Sequence, residues 1–543
     1  MKKRFSLSLV VFLMLIFTVA MVAGCAKKKE EAVEKKSVVE KSVMEEPVRG
    51  GTFNAFLMEP VTLDAANSQE SEGISVAKEI YDGLVDYESE TMEIIPAMAE
   101  SWESNEDATV FTFKLKKGVK FHNGRECKAE DFVYSWSRVA LKETASEVSY
   151  HLEPIKGFED CQEGKTDTLA GVKATGDYIL EVALKYPYAE FPVTLGHPIF
   201  SPVPKEEVEK WADKFFEHPM GTGPFKFAGW DHDQKIVLER FDDYYEDEAY
   251  LDKLVFNIFA DEDTAFLEFE AGNLDECRIP LGRVKETQEK YKGKTIIKPM
   301  LGTYFYGLNM EAEPWKGNVN LRKALNYSID RKAITDAVWE GARAPATGIV
   351  PAGIPGFKEN AMSYVFDQPK TKVLLEEAGH SGGKGLLKLS LSYNTGVGHD
   401  KVAQAMQAQM KDVGVNFDIV GYEFGTFIDK IQAEEATFFK VDWGADYPTM
   451  DNFLYPLFSS ESADNMFKYE NSEVDEKLLE ARKETDETKR QVLYREVERM
   501  VLEDAPVVPI AFDETSRVVG EDVHGYTRTA MDDTPFECIW LSK

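Results

Sequence analysis

The hydrophobic period of this chain switches repeatedly between two values, and that alternation restricts its fold more than any other feature. From Lys388 to Gly444 the sequence contains KLSLSYN, KVAQAMQAQMKDVGV, VNFDIVG, FGTFIDKIQAEEA and TFFKVDWG. Short segments with alternating apolar residues flank longer ones with helical spacing. Strand–helix–strand units of this kind predict an α/β fold with a parallel sheet, since a parallel connection needs a crossover long enough for a helix. In open sheets of this type ligands sit beyond the carboxyl ends of the strands. Here that position is the loop Trp443-Gly444-Ala445-Asp446-Tyr447-Pro448.

The first half alternates as well. GTFNAFLMEP reads as a strand ending at Pro60, and a helix is predicted from Gly73 to Tyr87. In VFTFKLKKGVKF, Phe111, Phe113 and Leu115 fall on one face of a strand with Gly118 at its turn. Phe132, Val133, Trp136, Val139 and Ala140 form a helical stripe. The chain has 543 residues, well above the roughly 250 to 300 at which a single core stops growing, so several domains are expected.

The N-terminus carries an address. Lys2, Lys3 and Arg4 precede an apolar run from Phe5 to Met21, then Val22-Ala23-Gly24-Cys25, the layout of a secretory signal. A Cys directly after Ala-Gly resembles the bacterial lipobox. That implies removal of residues 1–24 and a diacylglycerol on the Cys25 thiol. The competing reading is a retained membrane helix, since Phe5 to Gly24 could just span a bilayer. Residues 25–49, beginning CAKKKEEAVEKKS, are too charged to fold alone and read as a tether. From Ala26 to Arg49 it reaches roughly 75 Å when extended. The formal net charge of −33 opposes binding to phosphate backbones, so nucleic acid is not an expected partner. Cys127, Cys161, Cys277 and Cys538 are widely spaced, compatible with disulfides of unreadable pairing, and no CxxC pair supports a zinc site.

Catalytic motifs fail on context. Gly379-His380-Ser381-Gly382-Gly383 fits G-x-S-x-G, but a nucleophile elbow needs a strand before the serine. The preceding TKVLLEEAG reads instead as a helix capped at Gly379. Gly164-Lys165-Thr166 and Gly293-Lys294-Thr295 end like P-loops, yet Glu159 and Gln288 stand where the leading glycine belongs. No catalytic residue, metal ligand or cofactor is predicted.

Several segments resemble the family-5 extracellular solute-binding proteins of ABC importers. IIPAMAESWE, VFTFKLKKGVKFHNG and AEDFVYSW look like the family's N-terminal signature. GTGPFKFAGW, IVLERFDDYY, EAGNLD, YFYGLNM, LRKALNYSIDRKAI and DYPTMDNFLYPLF are similar to its later landmarks. Cys127 in GRECKAEDF and the run RFDDYY depart from the usual pattern. The resemblance implies a two-lobed, periplasmic-binding-protein-like α/β fold with three domains. The first is discontinuous, from segments 50–73, 198–300 and 515–543; the second spans 74–197 and the third 301–514.

VDWGADYPTMDNF resembles the segment in which oligopeptide binders hold the peptide's α-ammonium, with Asp446 in that role. The resemblance offers Lys440 and His399 for the peptide carboxylate. Between the two ends, an extended peptide would pair with strand-like backbone, and the candidates are Ala55 to Met58 and Gly444. Trp443, Tyr447, Tyr304 and Tyr306 are the candidate walls of side-chain pockets. The implied partners are an oligopeptide, the membrane permease subunits of an ABC importer, and the membrane itself through the lipid. Relatives of the fold also bind oligosaccharides or nickel chelates, and a secreted hydrolase is the remaining alternative class.

Overall fold

Alternating apolar residues build the first sheet as expected, although its strands come from distant parts of the chain. In Thr52–Leu57, the residues Phe53, Ala55 and Leu57 point into a core with Ile236, Leu238, Leu254 and Phe256. This strand lies parallel to Lys253–Ile258, which pairs antiparallel with Lys235–Arg240, followed by Phe225–Asp231. The computed structural model describes residues 46–462 and 464–542. The signal segment, Cys25 and the tether up to residue 45 lie outside them. Among the described residues no helix is long and apolar enough to cross a membrane.

The helix predicted from Gly73 to Tyr87 is shorter than expected, Ser71–Ile80, and a strand, Val85–Tyr87, follows it. The Glu70 carboxylate caps it, accepting from Gly73 N at 3.1 Å and Val61 N at 2.8 Å. Val76, Ala77 and Ile80 pack into the first core, whereas Leu84 and Val85 belong to a second one. One apolar run serves two cores, so its helical period cannot continue through Gly83, whose missing Cβ would stand 3.0 Å from Leu195 O.

The second core fills an antiparallel sheet of Ala99–Ser104, Val110–Leu115, Ile179–Ala183 and Val172–Gly176. Phe111, Phe113 and Leu115 face the helix Ala129–Ala140 through Phe132, Trp136, Val139 and Ala140, the stripe read from the sequence.

The alternating segment forms Leu389–Asn394, Phe417–Tyr422 and Phe438–Gly444, with helices His399–Lys411 and Phe424–Gln432 between them. These strands are parallel to one another. The sheet as a whole is mixed, which corrects the expectation of a parallel one. Phe438–Gly444 pairs antiparallel with Thr295–Leu308, and that strand pairs antiparallel with Val507–Val519. Val507–Val519 escaped the sequence pattern because its first seven residues are all buried and show no alternation. The register of the two long strands shifts between Pro299 and Thr303, opposite Glu514 and Phe512.

Gly379 has φ +83° just beyond the helix Gln368–Glu377, so Ser381 stands in a helix-ending turn and not on an elbow. Tyr304 and Tyr306 are completely buried in the core with Trp315 and Leu321. That corrects their expected place on a pocket wall. Cys127, Cys161 and Cys277 are buried, Cys538 is exposed, and all four are free thiols.

Burial raises several carboxyls: Glu70 to about 7, Asp82 to about 8, Glu190 to about 7 and Glu537 to about 7. Because their folded values exceed the unfolded ones, their stabilising contribution is full below about pH 4 and disappears as pH rises through about 7 to 8. The melting temperature should therefore fall by several degrees between pH 5.5 and pH 8. Thermal scans that show a rise over this interval would contradict it.

Candidate functional site

The loop after Phe438–Gly444 is organised by the first turn of the next helix, Met450–Phe458. Asn452 holds it at three points. Its carbonyl accepts from Trp443 Nε1 at 2.9 Å, its Oδ1 accepts from Asp446 N at 3.1 Å, and its Nδ2 donates to Asp446 Oδ2 at 2.9 Å. Asp451, fully buried, receives both Arg482 Nε and Nη2 at 2.8 Å. The hydroxyls of Tyr494, Tyr447 and Tyr188 donate to it at 3.0, 3.1 and 3.2 Å. Burial alone would raise this carboxyl, but Arg482 and the hydroxyls outweigh it and hold it below the ordinary range.

Tyr188 belongs to the second-core segment, so the Asp451 cluster joins that segment to the mixed-sheet part of the chain. More contacts follow the same seam. Arg482 Nη1 donates to Tyr186 Oη at 3.3 Å, and Arg490 Nε lies 3.2 Å from Glu190. His151 meets Asp446 at 4.0 Å.

Asp446 differs from Asp451 in having no cation beside it among the described residues. Burial pushes its carboxyl up to about 7, the Asn452 hydrogen bond opposes this, and Asp464 adds to it. About a fifth of the side chain is accessible. Gly444 is exposed, and a Cβ placed on it would meet nothing within 4 Å. His151 Nε2 is buried without a hydrogen-bond partner, and burial lowers this imidazole to about 3, so it stays neutral.

Among the described residues, His151, His197 and Asp446 form a group whose ligand atoms lie within 4.8 Å of one another. A metal ion could use it only after the donors drew closer. His197 Nδ1 already accepts from Ile199 N at 3.2 Å, which ties up one nitrogen of that ring.

The other end of the strand face carries Lys440 and Asp442, which form an ion pair. His399, at the start of its helix, contacts Tyr304 Oη through Nδ1 at 3.2 Å and lies 3.9 Å from Asp442. The structure thus groups Trp443, Gly444, Asp446 and Tyr447 in one loop, and Lys440 with His399 next to it. Met58 is elsewhere. It lines a cavity of about 380 Å³ together with Glu79, Asp82, Tyr87, Arg278 and Arg528, and none of the other six candidates lines that cavity.

Sequence reasoning missed Asp442, Asp451, Asn452, Arg482 and His151. Asp442, Asp451 and Asn452 lay inside segments already singled out, with Asp442 on the Lys440 face by strand alternation. Arg482 and His151 had no local signal.

With this geometry in view, comparison with known proteins decides the family. The model of the bacterial extracellular solute-binding proteins, family 5 (middle), matches residues 93–465. The chain belongs to this family. It is 32% identical over 544 residues to the oligopeptide-binding protein OppA of Bacillus subtilis, covering 97% of each chain. Its fold is similar to Haemophilus influenzae OppA in complex with RPPGFSPFR, with TM-score 0.82 and 29% identity over 92% of this chain and 100% of that one. Similarity to the unliganded open form of the murein tripeptide-binding protein MppA is lower. There the TM-score is 0.72 and the identity 27%, covering 91% and 97% of the two chains. The family is one of solute binders rather than enzymes.

Asp451→Asn and Arg482→Met should each cost about 3 to 5 kcal/mol, because each leaves a buried charge without its partner. The double variant should cost clearly less than the sum. Chemical denaturation measures this; additive losses would mean that the two residues do not act as a pair.

Proposed function

We propose that this protein captures peptides in the cleft bounded by the Trp443–Tyr447 loop and passes them to the membrane subunits of an ABC importer. The observation that carries the reading is Asp446. It is a largely enclosed carboxylate, in reach of no cation among the described residues, at the end of a sheet strand and beside the open backbone of Gly444. An α-ammonium supplies the missing charge, and the neutral His151 Nε2, buried without a hydrogen-bond partner, lies 4.0 Å from the same carboxylate. Peptide complexes among the structurally similar proteins support peptide capture.

In this reading the domains follow the segments 50–73 with 198–300 and 515–543, then 74–197, then 301–514. They would close about a hinge near Met300 and Glu514, where the two long strands shift register. The mature protein starts at a lipid-bearing Cys25, with residues 25–49 as its tether, outside the cell membrane. No catalytic step and no cofactor enter. A ligand screen with peptides, oligosaccharides and nickel chelates separates the alternatives by thermal shift.

Asp446→Asn removes the charge and keeps the size. Affinity for free-amine peptides should fall about a hundredfold or more, whereas N-acetylated peptides should bind the parent weakly and lose little more in the variant. Binding to the parent should also strengthen from pH 5.5 to 7.5 as Asp446 ionises, before the ligand amine, of ordinary value about 8, loses its proton. Calorimetry that finds free and acetylated peptides equally affected would remove Asp446 from the ammonium site.

For the anchor, Cys25→Ser should release the protein from the membrane fraction. A variant that stays as firmly bound as the parent would show a retained helix instead.

A further inference from the structure

The cavity of about 380 Å³ that Met58 lines is separate from the loop site, for among the described residues nothing between 279 and 516 takes part in its wall. Its wall includes Arg278, Arg517 and Arg528, whose charges are matched one for one. Asp532 stands 2.6 Å from Arg528 and 3.8 Å from both Arg517 and Arg278. Glu276 accepts from Arg517 at 3.2 Å, and Glu262 lies 3.6 Å from Arg278.

The charges around Glu79 in the same wall are not matched. Burial, then the neighbouring Glu537, Asp533 and Asp82, raise this carboxyl well above its ordinary range, and Lys78 opposes them. Lys78 is already paired with Asp533. Asp86 and Glu246, both exposed, add two further acids to the lining. Glu79 itself is only 4% exposed, and its Oε2, like Asp82 Oδ2, is buried without a hydrogen-bond partner. It also occupies the last turn of Ser71–Ile80, where the helix dipole disfavours an anion. A glutamine would fill the same space at lower cost, so the unmet charge calls for a cation from outside the chain.

We infer that this acidic wall binds a short aliphatic polyamine, at a site of its own and apart from the peptide loop. The carboxyls around Glu79 do not converge on one point. Among the described residues only His151, His197 and Asp446 bring three such donor atoms within 4.8 Å of one another. Acids spread around a cavity suit separated ammonium groups better than one metal ion, which needs its oxygen ligands close together. Tyr81, Tyr87, Phe256 and Phe536 supply apolar surface for the methylenes and ring faces for the ammoniums.

The test titrates spermidine into the mature chain by calorimetry at about pH 8 and about 0.15 M salt, which screens exposed carboxylates. At that pH Glu537, at about 7, is charged and Asp82, at about 8, is half charged, while an alkylamine of ordinary value about 10.4 keeps its proton. One spermidine should bind per chain, and magnesium in about a hundredfold excess should not displace it. Glu79→Gln should weaken binding by about tenfold or more, and Glu537→Gln, which carries the test if the first variant does not fold, should do the same. Glu434→Gln with Glu435→Gln, both exposed, should leave it within about twofold. Three results overturn the inference: no binding, several equivalents that magnesium displaces, or affinity in the folded Gln variants equal to the parent's. None of them bears on peptide capture.

Discussion

The buried pair of Asp451 and Arg482 is the contact on which the rest of the site depends. Two charges withdrawn from water are tolerable only when geometry and extra hydrogen bonds compensate their lost hydration. Here a two-point Arg–carboxylate contact and three tyrosine hydroxyls do so. The same carboxylate fastens Tyr447 on the loop and Tyr188 on the second-core segment. It therefore sets the loop's shape and the closeness of the two segments together. Asn452, the next residue, then fixes Trp443 and Asp446 from the same helical turn.

One strand end presents two carboxylates in opposite electrostatic situations. Asp446 has hydrogen bonds but no cation, and burial raises it to about 7. Asp442 is paired with Lys440, whose charge holds it below its ordinary range despite burial. On the proposed reading the first invites a ligand cation, whereas the second already has one in Lys440. Both follow from which residues occupy alternate positions beyond Phe438.

Much of the architecture was legible because it rests on local periodicity. The three strands and two helices from Leu389 to Gly444 appeared where their apolar spacing placed them. The Phe132–Ala140 stripe did as well. What failed were elements whose pattern is erased by burial on every side. Val507–Val519 shows no alternation, and its antiparallel pairing turns the sheet into a mixed one. The overlong helix failed for a related reason, since Ile80 and Leu84 serve different cores. The candidate loop could be located from the sheet rule and the family resemblance. Its chemistry could not, because the partners that set it, Arg482 and His151, are remote in sequence and meet it only through the fold.

The most direct measurement is a crystal structure of the mature chain with a short free-amine peptide bound. The peptide's amino nitrogen should lie about 3 Å from Asp446 Oδ2. A peptide bound in the reverse direction, or with its amino end remote from Asp446, would contradict the assignment of this loop as the site that orients the ligand.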